Sequence, residues 1–130
     1  MERPALVFDI KVNGENQEVK MTYGVFNEIL QIIPDPSQIG DLFITDAALR
    51  DYVARRMLSG NKRIKNEEDL VDPFDLDIDM DEVNNLILWV GDHVLYFFMN
   101  SAEKTAALMK RYEPAMAEIQ SSQSKSGSET

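Results

Sequence analysis

The sequence predicts an α+β fold, mostly α-helical: an N-terminal β-hairpin packed on a cluster of about five helices with a central apolar helix. Three features predict it. Residues 6–12 alternate in polarity and run into Asn13-Gly14, a strong hairpin turn. Residues 22–60 carry apolar residues at helical spacing, interrupted by capping residues and prolines. Leu86 to Met99 is apolar or aromatic at every position except Gly91, Asp92 and His93. That run is too short for a membrane span, which needs ~18–20 apolar residues, and it is long for a strand.

The hairpin occupies residues 5–21. Leu6, Phe8, Ile10 and Val12 share one side of its first arm. An isolated hairpin is marginal in water, so this side must pack on the helices or its edge must pair with another chain. Thr22 is placed to cap a first helix through Val25, Phe26, Ile29, Leu30 and Ile33, which Pro34 ends. Asp35-Pro36 opens a short helix through Ile39, Leu42 and Phe43. Thr45 or Asp46 caps a third, with Leu49, Tyr52, Val53, Met57 and Leu58 on its buried face and Gly60 at its end.

Residues 66–82 hold nine acidic residues and no basic one, and Pro73 opposes a helix through them. They are expected to form an exposed connection with one turn near Glu67–Leu70. Asp79 and Glu82 match a capping box for the central helix. In that helix Val83, Leu86, Ile87, Val90, Val94, Phe97 and Phe98 lie on one broad face, and Leu88, Leu95 and Met99 on another. A helix apolar on most of its circumference is buried on most of it. A chain of 130 residues offers few partners for so much apolar surface, so Trp89, Tyr96, Phe97, Phe98 and Met99 are candidates for self-association or client binding. A thinner stripe of Ala106, Ala107, Met109 and Tyr112 follows, as a second helix from Ser101 or a continuation of the first, with a break or kink at Pro114. The expected organisation is one globular domain over 1–119 (helical part 22–119) and a disordered polar tail over 120–130.

Composition narrows the function. There is no Cys, which removes disulfides, thiolate catalysis and Cys-based metal sites. The single His removes multi-His metal sites. Residues 1–20 lack the apolar core of a signal peptide, and a reducing cytoplasmic setting is expected. The formal net charge of −10 opposes binding to phosphate or an anionic membrane. The exception is the cluster Arg50, Arg55, Arg56, Lys62, Arg63 and Lys65, a candidate patch for a charged partner that can also pair with the acidic run. Asp75, Asp77, Asp79 and Asp81 alternate as in calcium loops. The match fails at Met80 and Leu86, where such a loop needs Gly and Glu. His93 reads as a hydrogen-bonded core histidine. No phosphate loop or convergent acid–base pair is present. No catalytic, cofactor-binding or metal-binding residue is assigned, and an enzyme is the least favoured class.

The chain resembles the tail assembly chaperones of long-tailed, lambda-like bacteriophages. The resemblance is carried by Phe8-Asp9-Ile10-Lys11-Val12-Asn13-Gly14 and Met21-Thr22-Tyr23-Gly24-Val25-Phe26-Asn27-Glu28-Ile29. It continues through Ala48-Leu49-Arg50-Asp51-Tyr52-Val53, Gly60-Asn61-Lys62-Arg63, Asp72-Pro73-Phe74 and His93-Val94-Leu95-Tyr96-Phe97-Phe98, spanning residues 5–113. It implies a non-enzymatic, oligomeric helper in the host cytoplasm that coats the tape-measure protein before the tail-tube protein polymerises, and that is missing from the mature virion. It also implies a longer frameshifted form of the same protein as a partner, this chain looking like the short product, and it implies no nucleic acid, membrane or cofactor. Two other classes compete: a small nucleic-acid-binding regulator using the basic 50–65 segment, and a structural virion component.

Overall fold

The structure, a computed structural model, describes the backbone of residues 1–128 and the side chains of residues 1–120. It is α+β and mostly helical. The order is β1 (Val7–Val12), β2 (Glu15–Lys20), α1 (Tyr23–Ile32), α2 (Ile39–Thr45), α3 (Ala47–Leu58) and α4 (Met80–Ser128). Short 3-10 turns lie at Pro36–Gln38, Glu67–Asp69 and Pro73–Asp75. The last two expected helical stretches are fused in α4, which runs through Pro114. Contacts divide the chain into two compact units, Met1–Phe97 and Phe98–Thr130.

This division differs from a single domain over 1–119. Val94 is the last fully buried apolar side chain among the described residues, and Leu95 beyond it packs half-buried against the core of the first unit. The segment 120–130, expected as a disordered tail, is helical as far as Ser128. Extending an existing helix adds one hydrogen bond per residue without a new nucleus. Glu129 and Thr130 lie outside the described residues.

In the first unit β1 and β2 pair antiparallel from Val7↔Lys20 to Val12↔Glu15. Asn13 and Gly14 have φ of 53° and 80°, left-handed values that Asn and Gly tolerate and that match the twist of a tight hairpin. The apolar side faces the helices, where Ile10, Val12 and Val19 are buried. Leu6 precedes the strand and stays half exposed. Against this sheet pack Val25, Ile29 and Ile33, then Ile39 and Phe43 of α2 and Leu49, Val53, Met57 and Leu58 of α3. Leu86, Ile87, Trp89, Val90 and Val94 of α4 complete the core.

The breaks between helices have local causes. Asp35 Oδ1 accepts from the Ser37 amide at 3.1 Å. Asp46 caps α3 by accepting from the Leu49 amide at 3.0 Å, while the Thr45 hydroxyl turns back to the Asp41 carbonyl. Thr22 precedes α1 without a side-chain capping bond. Gly60, at φ 88°, turns the chain after α3.

The acid-rich segment is more than an exposed connection. Leu70 is buried, and Val71, Leu76 and Ile78 pack half-buried against the core. Its backbone is tied to the hairpin turn: the Asn13 amide donates to the Asp77 carbonyl at 2.9 Å, and the Asp77 amide donates to Asn13 Oδ1 at 2.7 Å. Asp79 does cap α4, accepting from the Asp81 amide at 3.2 Å. Glu82 does not close a capping box. Its carboxylate accepts from the Lys11 amide of β1 at 2.7 Å, covering part of an edge that would otherwise be open to another chain.

Candidate interaction surface

The apolar residues singled out in the central helix divide into three groups. Trp89 is core: its ring packs on Phe8 at 5.5 Å and on His93 at 4.9 Å, and its indole Nε1–H donates to the Ala5 carbonyl at 2.8 Å. It is not a contact surface. Tyr96 is half-buried. Phe97 is 47 % exposed although its ring meets Phe26 edge-on at 5.2 Å. Phe98 and Met99, the first residues of the second unit, are about 40 % exposed.

The first unit carries a better-formed apolar surface than that band. Between α2 and α4 lies an open groove of about 600 Å³ lined by Ile39, Phe43, Ile44, Ile87, Leu88, Gly91 and Leu95. Asp41, Arg50, Asn84 and Asp92 also line it. Ile44 is 79 % exposed and Leu88 65 %. Gly91 sets the depth, since a Cβ there would meet the Phe43 ring at 3.4 Å. A glycine inside a helix costs about 1 kcal/mol relative to alanine, and here it leaves the floor open. Leu88 was visible in the sequence as part of a second apolar face. Ile44 was missed, because it departs from the spacing of the buried face of α2.

The basic cluster does not form one patch. Arg56 is buried at 1 % exposure. Its guanidinium donates to the Glu28 carboxylate, to the Gly60 carbonyl at 2.9 Å and to the Lys62 carbonyl at 2.8 Å. It therefore pins the basic loop to α1 and α3 and is closed off from a partner. Arg55 is half-buried, donating from Nε to the Val71 carbonyl at 2.9 Å and lying 3.8 Å from Asp51. Arg50, Lys62, Arg63 and Lys65 are exposed. Among the described residues only Arg55–Asp51 and Arg56–Glu28 form ion pairs, so the exposed cations do not pair with the acidic run. That run turns inward through its backbone and its apolar residues Leu70, Val71, Leu76 and Ile78.

His93 is buried at 7 % exposure, and its Nε2 donates to the same Ala5 carbonyl at 2.8 Å that Trp89 uses. One carbonyl has two lone pairs and satisfies both donors. Burial is the largest influence on the imidazole and pushes its pKa below the ordinary value. The Ala5 bond raises it, nearby Arg3 lowers it and Asp92 raises it, each by less. The pair Trp89–His93 thus fastens the N-terminal segment to α4.

Among the described residues no group of three or more His, Asp or Glu side chains is arranged to hold a metal ion. Among the described residues no helix is long and apolar enough to cross a membrane. No family model, curated protein or solved structure matches the chain.

Proposed function

We propose that this protein is a tail assembly chaperone of a long-tailed bacteriophage, which holds the tape-measure protein until the tail-tube protein polymerises around it. The observation that carries the reading is the groove between α2 and α4. Its rim residues Ile44 and Leu88 stand largely in water beside a floor formed by the buried Ile39, Phe43 and Ile87. An amphipathic helix laid in such a groove is a recurring recognition mode, and a tape-measure protein is a long helical client with many such faces. Contacts that are weak singly gain avidity along a repeated client. The net charge of −10 keeps a sticky surface soluble and off nucleic acid. The hairpin-to-helix opening quoted above adds the family likeness.

The test is capture of a purified tape-measure fragment at 50 and 500 mM salt. Capture nearly independent of salt, and at least ten-fold weaker in Ile44→Asp and Leu88→Asp, supports the reading. Both residues are exposed, so these variants keep their stability. Salt-sensitive binding to nucleic acid through Lys62, Arg63 and Lys65 would instead support the regulator reading, because counterion release makes such binding fall steeply with salt. Presence of the protein in purified particles by mass spectrometry would support a virion component.

A further inference from the structure

The second unit carries an unpartnered apolar seam with its own register. From Phe98 onward the positions 98, 102, 105, 109, 112, 116 and 119 recur at alternating steps of four and three, a strict heptad pattern. They hold Phe, Ala, Thr, Met, Tyr, Met and Ile. Three heptads are the shortest run that argues for a coiled coil. Every described side chain from Ala102 to Gln120 is exposed, with Met109, Tyr112, Met116 and Ile119 between 46 and 58 %. Pro114 falls opposite the seam, where its ring does not obstruct packing.

We propose that this seam pairs with the same seam of a second copy, antiparallel. Two observations choose the occupant and the direction. The first is size: the seam is small near Phe98 (Ala102, Thr105) and large at its far end (Met116, Ile119). Antiparallel alignment sets Ala102 against Ile119, Thr105 against Met116 and Met109 against Tyr112, so each layer joins a smaller to a larger side chain. Parallel alignment stacks Ala on Ala and Thr on Thr and leaves voids. The second is charge. Residues 98–130 hold four Lys or Arg and four Asp or Glu, whereas residues 1–97 hold nine against nineteen. The whole net charge of −10 therefore belongs to the first unit. Parallel pairing sets two such units side by side. Antiparallel pairing in this register separates the two Phe97–Phe98 junctions by about 38 Å over 25 helical residues, well beyond a screening length of about 8 Å. The neutral seam region itself offers no repulsion. This pairing does not depend on the tail-chaperone reading.

The absence of cysteine makes the register directly testable. Ala102→Cys and Ile119→Cys, differently tagged, are oxidised alone and mixed. The expected result is a disulfide dimer containing one of each, formed at least ten-fold faster in the mixture than in either variant alone. Sedimentation of the full chain at about 100 µM should show a dimer. Met109→Glu with Tyr112→Glu should convert it to monomer, with an unchanged melting curve for the first unit. Ile44→Asp and Leu88→Asp should leave the dimer intact. A wild-type monomer at that concentration, homotypic Ala102→Cys links, or a dimer lost through Ile44 and Leu88 would each overturn the proposal.

Discussion

Replacing Arg56 by Met keeps most of the side-chain volume and removes every donor the guanidinium supplies. Three acceptors then lose their partner: the Glu28 carboxylate and the carbonyls of Gly60 and Lys62. Breaking one half of a buried ion pair costs about 3–5 kcal/mol when the other half stays buried. Glu28 is 30 % exposed and regains water, which places its share toward the low end. Each carbonyl loses a bond to a charged donor, about 1.5–3 kcal/mol before water replaces it. Allowing for rehydration of the loop, the expected destabilisation of Arg56→Met is about 3 kcal/mol, a large part of the stability of a small domain. Arg56→Lys can keep one of the three acceptors and should lose about 2 kcal/mol. Urea unfolding followed by the fluorescence of Trp89, the only Trp and itself buried, measures both. Glu28→Gln should cost about 1 kcal/mol, and adding it to Arg56→Met should cost less than the sum of the two. Trypsin should also cut after Lys62, Arg63 and Lys65 sooner in Arg56→Met, because the loop has lost its anchor. An Arg56→Met protein within 0.5 kcal/mol of wild type would refute the assignment of Arg56 as the residue that joins α1, α3 and the basic loop, an outcome typical of surface substitutions.

Four further outcomes are expected. Trp89→Phe removes one of the two donors to the Ala5 carbonyl and should cost about 1–2 kcal/mol, read by circular dichroism, with earlier proteolysis within residues 1–6. His93 has its ordinary value, near 6.5, in the unfolded chain and a lower one in the fold; between the two values only the unfolded chain takes up the proton. Its contribution is therefore complete above about pH 6.5 and lost as pH falls through the folded value, so the melting temperature should drop from pH 7.5 to 5.5, and by less in His93→Gln. Gly91→Ala should raise stability by up to about 1 kcal/mol, because the new Cβ meets the Phe43 ring at 3.4 Å, and should weaken capture of a helical client by narrowing the groove. Lys62→Glu, Arg63→Glu and Lys65→Glu should each shift stability by less than about 0.5 kcal/mol, since none has a carboxylate partner among the described residues.

The fold was legible wherever a local rule governs the backbone. Asn13-Gly14, Pro34, Asp46 and Gly60 act through φ preferences and capping bonds within a few residues, and each stands where the sequence places it. Long-range choices were not legible. Glu82 has the spacing of a capping box, yet it bonds an amide 71 residues away, and no local pattern announces that. Arg56 sits among cations and reads as surface until the three acceptors around it are known. Leu76 and Ile78 alternate with aspartates, a period of two that belongs to an extended segment with one side buried; the density of acids masked it. Trp89 looked like an interface anchor because aromatics are common at interfaces, but the Ala5 carbonyl and the Phe8 ring give it a home inside.

The groove and the seam also explain why the central helix looked too apolar for one small domain. A helix has about 100° for each buried stripe, and α4 spends one on Leu86, Ile87, Val90 and Val94. Leu88 and Leu95 fall outside that stripe and line the groove instead. Val94 is the last fully buried apolar position among the described residues, while the apolar period continues and changes its spacing to the strict heptad that begins at Phe98. A protein selected only for its own stability gains little from keeping Ile44, Leu88, Tyr112 and Ile119 in water. Polar replacements at all four that leave the melting curve unchanged, yet abolish both client capture and dimerisation, would separate the surplus apolar surface from the fold. Any substantial loss of stability would mean that the surplus is core after all.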